Sequence, residues 1–159
     1  MTQVRVQRKG VDLKQAAKDF AVDVEQLKKE TMFGIADRIA VNSPVDSGTY
    51  AVNHEVGLRS GSFTANKTRP EDRSRLSRDG AAHIPEARQI GLQNMVDDIN
   101  SLDMSSDTFV FRNPMAYSAM IESGMTGDVT GNPPVYAAAV REAPSIIQEV
   151  AQRIASRRR

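Results

Sequence analysis

The chain has 159 residues, a formal net charge of +1 and a hydrophobic fraction of 40%, enough for one domain with a core. It contains no cysteine, which excludes disulfides, thiolate nucleophiles and cysteine-based zinc sites. The near-neutral charge argues against a dedicated nucleic-acid binder with one basic face, and with no Trp the core must come from Val, Ile, Leu, Ala and Met.

The first ten residues, MTQVRVQRKG, hold no apolar run of the kind that directs export, and no stretch approaches a membrane span, so synthesis in a cytoplasm is the expectation. Val4 and Val6 alternate with polar neighbours as a short strand or arm over residues 1–10. Asp12 is a good N-cap, with Gln15 three residues later as in a capping box. From there Leu13, Ala16, Ala17, Phe20, Val24, Leu27, Thr31, Ile35 and Ile39 recur at helical spacing. This predicts one amphipathic helix from Leu13 to Val41, weakened at Gly34 and widened in its second half by Met32, Phe33, Ala36 and Ala40. Pro44 stops it, because the residue before a proline avoids the α region. Asp46, Ser47 and Gly48 supply turn chemistry. Tyr50, Val52, His54, Val56 and Leu58 then alternate with Ala51, Asn53, Glu55 and Gly57, which predicts a half-buried strand.

Residues 59–84 read as a long exposed loop, rich in Arg, Ser, Gly and Asp and locally positive through Arg59, Lys67, Arg69, Arg73, Arg75 and Arg78. Pro85 suits a first helical position, and Ile90, Leu92, Met95, Val96 and Ile99 form the apolar side of the helix that follows. Residues 103–107 are a polar turn, and Thr108 to Arg112 reads as a strand. Asn113-Pro114 opens a short helix through Met115, Tyr117, Ala119, Met120 and Ile121, closed by Ser123-Gly124. Residues 124–134 are a second loop. For 135–141 the alanines favour helix, whereas Pro144 suits the start of a helix better than its middle. The reading preferred is a strand at 135–141 and a closing helix from Pro144, with Ile146, Ile147, Val150, Ala151 and Ile154 inward. The whole is a single α+β domain, a small antiparallel sheet packed by a long N-terminal and a C-terminal helix, with long exposed loops.

Few residues carry reactive chemistry. His54 and His83 lack the clustered ligands or spacing of a metal site. Ser60 does not sit in a nucleophile elbow, and Asp46-Ser47-Gly48 is a common turn former. Asp97 and Asp98 are adjacent on a helix and point apart. No phosphate-cradling glycine motif is present, and Asn66-Lys67-Thr68 matches a glycosylation acceptor that has no use without export. No enzyme and no cofactor is expected. A hydrolase using Ser47 or Ser60 with His54 is one alternative, and a small nucleic-acid-binding module using the basic loop is another.

Two short blocks resemble a known family. Pro44-Val45-Asp46-Ser47-Gly48-Thr49-Tyr50, followed by Val52-Asn53-His54, looks like the PVDTG corner of the tail-component family of lambda-like long-tailed bacteriophages. Asn113-Pro114-Met115-Ala116-Tyr117, then Ile121-Glu122-Ser123-Gly124, is similar to that family's N-x-x-P/A-Y-A … I-E-x-G segment, which follows a strand as Thr108 to Arg112 is expected to be here. Ser47 stands where the family has Thr, and His54 where Trp is common. The resemblance implies a structural protein of the virion neck, assembled from host cytoplasm, that completes the tail and joins it to the head. It implies a homo-oligomeric ring, a hexamer or dodecamer, stacked between connector proteins and the tail tube or terminator, with DNA passing through. A tail terminator capping the tube is the near alternative. Pro44, Val45, Asp46, Ser47, Gly48, Asn113, Tyr117, Glu122 and Gly124 would then be fold residues. Arg59, Lys67, Arg69, Arg73, Arg75, Arg78, Arg157, Arg158 and Arg159 would be contacts to DNA or a neighbouring ring.

Overall fold

A computed structural model describes residues 12–45, 49–59, 80–105, 108–116, 118–123 and 134–157. Helix α1 spans Leu13–Asn42, as its periodicity requires. Asp12 caps it, its carboxylate accepting the backbone N–H of Lys14 at 3.0 Å and of Gln15 at 3.3 Å. The reciprocal half of a capping box is not made, because the Gln15 amide donates forward to Asp19 at 2.8 Å. Every residue from Asp12 to Val22 is exposed, so this end of the helix stands on its cap and local pairs. Asp12→Ala is expected to cost the helix end about 1 kcal/mol. The expected readout is faster amide exchange over residues 13–22 with an almost unchanged global melting temperature. A large fall in that temperature would show that the first turns belong to the cooperative core.

α2 is one short turn, Thr49–Val52, and the strand β1 begins only at Glu55 and ends at Leu58. This corrects the strand expected over residues 50–58. The alternation there was only apparent: Tyr50 through Val56 are all buried, on both parities, so no solvent face existed to enforce a two-residue period. Asn53 closes the turn instead, with its backbone N–H to Tyr50 O at 3.2 Å and its side-chain amide to Thr49 O at 2.6 Å.

α3 spans Gly80–Ser101. Residues 80–84, expected as the end of a loop, therefore belong to the helix, and Pro85 lies inside it; the rest of that expected loop, residues 60–79, lies outside the described residues. A proline in the second turn removes one backbone bond, and the apolar side that follows it is long enough to outweigh that loss. β2, Phe109–Arg112, pairs antiparallel with β1 in the register Glu55↔Arg112 to Leu58↔Phe109. Among the described residues the sheet has these two strands. The Val56 N–H, which a third strand would otherwise take, goes to Asp98 of α3 at 3.1 Å, so a helix covers the ribbon. Asn113 caps the next turn, accepting the Met115 N–H at 3.1 Å, and the short helix α4 is Ser118–Glu122, three residues later than expected.

α5 is a single helix, Val135–Ser156, and Pro144 lies within it. This corrects the strand expected at 135–141. The carbonyl four residues before Pro144 belongs to Val140, which is 71% exposed, so water can replace the lost helical partner. Ala138 and Ala139 before the proline and Ile146, Val150 and Ile154 after it are all buried, and this packing holds both halves in one helix.

α1 and α5 run antiparallel. Arg38 pairs with Glu142 at 2.8 Å, and Glu30 with Arg153 at 2.7 Å and Arg157 at 3.2 Å. Between these pairs Gly34 faces Ile146, whose Cγ2 lies 2.5 Å from where a Cβ on Gly34 would stand. The glycine that weakens α1 locally is what lets the two helices approach. The main core joins Met32, Ala36, Ile39 and Ala40 of α1 to Tyr50, Val56, Met95, Ile99, Val135 and Ala139. The fold is thus α+β, with long helices around a two-stranded ribbon.

Candidate functional site

A buried polar cluster lies at the end of α1, built from five elements. Its centre is His54, only 1% exposed, at the entry to β1. Ser43, the residue after α1, places its hydroxyl 2.6 Å from Ile39 O and 2.7 Å from His54 Nε2. On the other side of the ring, the Tyr136 hydroxyl from α5 lies 2.8 Å from His54 Nδ1. The rings of Tyr50 and Tyr136 stand edge-on to the imidazole, with centroids at 4.9 and 5.7 Å.

Proton counting fixes the tautomer. A carbonyl only accepts, so the single Ser43 proton goes to Ile39 O. His54 Nε2 must then carry a hydrogen and donate it to Ser43. Nδ1 is left as an acceptor, and Tyr136 donates its phenolic proton there. Burial pulls the His54 pKa down to about 3, so the ring is neutral at ordinary pH. Burial, followed by the neighbouring Tyr50, Glu122 and Glu55, pushes the Tyr136 phenol up, which keeps it a donor.

The cluster continues outward without a break. Tyr50 donates to Glu122 Oε1 at 2.9 Å, and Glu122 Oε2 accepts the Tyr136 N–H at 3.1 Å, at the start of α5. Asn113 donates to Tyr50 O at 2.8 Å. Arg88 of α3 gives two N–H groups to Ser43 O, at 3.2 and 3.1 Å, and so brings a positive charge to the C-terminal end of α1. Glu55 meets Arg112 across the ribbon at 2.9 Å.

A serine 2.7 Å from a histidine has the spacing of a nucleophile and its base. Here the proton runs the wrong way. A base must offer its lone pair to the hydroxyl, whereas His54 presents an N–H and Ser43 spends its proton on the helix. The groups are also buried, with Ser43 at 0% exposure. What the arrangement does chemically is satisfy polar groups and fix the relative positions of α1, α2, β1, α4 and α5.

The structure brings together the two sequence blocks, through contacts 63 and 72 residues apart in the chain. Asn113 and Glu122 each bond Tyr50, which follows the corner; Pro44 borders the cluster, and Val45 packs on Ala51, Val52 and Ala87. Asp46, Ser47, Gly48, Tyr117 and Gly124 lie outside the described residues, as do Ser60, the Asn66 acceptor, Lys67, Arg69, Arg73, Arg75, Arg78, Arg158 and Arg159. Arg59 is exposed at the end of β1, and Arg157 at the end of α5 pairs with Glu30 of α1. Asp97 and Asp98 diverge, toward Gln93 and Val56. Among the described residues no group of acidic or histidine side chains can hold a metal ion, and no helix is long and apolar enough to cross a membrane. Sequence reading missed Ser43, Arg88 and Tyr136. The one local signal was Ser43 at a helix end, where a cap is common. Compared with family models, characterised proteins and solved structures, the chain gives no match.

Proposed function

We propose that the chain is a structural protein of a long-tailed bacteriophage neck, completing the tail and joining it to the head as a homo-oligomeric ring through which DNA passes. The observation that carries this reading is the bonding of the two motif blocks into one buried unit, Asn113 to Tyr50 O and Tyr50 to Glu122. Residues that resemble a family pattern here have a shared structural task and no reactive geometry. Two long helices that keep apolar side chains at the surface, Phe20 and Val140 among them, fit a subunit that is finished by its neighbours. The reading involves no cofactor. Its test is assembly: purified protein is mixed with tails made without it and with DNA-filled heads. Joined particles and restored infectivity are expected. Failure to bind either tails or head connectors would overturn the reading.

A further inference from the structure

α1 outruns its partner helix. The antiparallel pairs Arg38–Glu142 and Glu30–Arg153 place the end of α5, at Ser156, beside the third turn of α1. About 15 Å of α1 therefore projects beyond α5. Its stripe Leu13, Ala17, Phe20, Val24, Leu27 keeps the alternating spacing of a helix–helix seam. Leu27 is already used inside the chain, packed on Ile146, Val150 and Ile154. Leu13 and Phe20 continue the same stripe at 80% and 69% exposure. Asp12, Asp19 and Asp23 continue the flank on which Glu30 meets Arg153 and Arg157. The overhang thus offers more of the surface that accepts a helix internally, apolar with an acidic edge.

α5 has a second apolar stripe that α1 does not cover. Val140 is 71% and Ile147 44% exposed, and the stripe ends there, because Ala151 lines a groove against Phe20, Val24 and Leu27 of α1. On the solvent side this stripe is edged by Arg141, Gln148 and Gln152, whereas Glu142 and Glu149 fall on the opposite side of the helix. Val140 and Ile147 are two turns apart, about 10.5 Å, as are Leu13 and Phe20.

Resting on the ring reading above, we propose that the α1 overhang of one copy seats on the outer stripe of α5 in the next copy, head to tail. Matched spacing lets two pairs of large side chains meet at once, and the acidic edge of the overhang falls beside the carboxylate-free, Arg141-bearing edge of α5. Antiparallel pairing of two overhangs about a two-fold axis would set acidic edge against acidic edge, and a parallel pair would set it against the edge that carries Lys14 and Lys18, an arrangement that self-linking of Phe20→Cys would reveal. Because the two surfaces differ, the contact repeats in one direction and closes into a ring when its rotation allows.

The chain's lack of cysteine makes the test direct. Phe20→Cys is prepared alone and mixed, under mild oxidation, with Val140→Cys or with Ile147→Cys, and Glu149→Cys serves as the off-stripe control. A mixed disulfide dimer is expected with one of the two stripe partners and neither with the control nor from Phe20→Cys alone. The double variant combining Phe20→Cys with the reactive stripe site is expected to give a ladder ending at the full ring, and Phe20→Asp to abolish assembly while the monomer stays folded. Self-linking of Phe20→Cys, or no mixed product at either site, would overturn the contact. Rings seen without the cross-link would remove this interface and leave the neck reading standing; a cross-linked ring that binds no tails would do the reverse.

Discussion

Lowering the pH from 7 to 5 is expected to cost the fold about 2 kcal/mol. The source is His54. Its folded pKa is held at about 3 by burial, against an ordinary value of 6.5. Between these values the unfolded chain binds a proton that the folded chain refuses. Stability is therefore fully present above pH 6.5, falls as the pH falls through the window, and the whole contribution of about 5 kcal/mol is lost near pH 3. Glu30 is also held below its ordinary 4.5, first by the Gln26 hydrogen bond and then by Arg153 and Arg157, so its loss comes lower and leaves the upper window to His54. Melting temperature measured from pH 7.5 to 4.5 should fall steadily below 6.5. The ring resonance of His54, assigned with the help of His83→Gln, should not titrate above pH 4 in the folded protein. A His54 that titrates near 6.5, or a flat melting curve between pH 7 and 5, would refute this account of the cluster.

Gly91→Ala is expected to destabilise the protein by about 3 kcal/mol, a fall of about 10 °C in melting temperature. Intrinsic propensity points the other way, since alanine gains about 1 kcal/mol over glycine inside a helix. The contact decides. A Cβ at this position of α3 would overlap the carbonyl of Ala51 and approach Val52 Cα, and both are backbone atoms. No rotamer change relieves that overlap. α2 would have to lift away, and it is tied down by Asn94 to Val52 O at 2.9 Å and by Asn113 to Tyr50 O. The substitution should therefore also disturb the His54 cluster, visible as a loss of its ring shift. Equal or higher stability in Gly91→Ala would mean that α2 does not lie against α3 as described. Gly34 makes a useful contrast, because the atom a Cβ would meet there belongs to the Ile146 side chain, which can move.

Much of the scaffold was legible in the chain. The limits of α1 were read to within a residue, because apolar spacing, the Asp12 cap and Pro44 are all local signals. β2 was legible from its β-branched and aromatic residues. α5 was divided wrongly because proline was weighed as a breaker, and the sequence does not say that Val140 is exposed while both halves pack on α1. The stretch 50–54 was read as strand because alternation was counted where every residue is buried.

The sequence by itself determined α1, the β2 strand and the poverty of reactive groups, since these depend on neighbours a turn or two apart and on composition. Only the tertiary structure decided what His54 is for. Its partners Ser43 and Tyr136 lie 11 and 82 residues away. Arg88 reaches Ser43 across 45 residues, and Gly91 meets Ala51 backbone to backbone. Contacts of this kind leave no periodicity in the chain. They exist only where folding has removed water, and there an unpaired polar group or one extra methyl costs several times what local propensity can return.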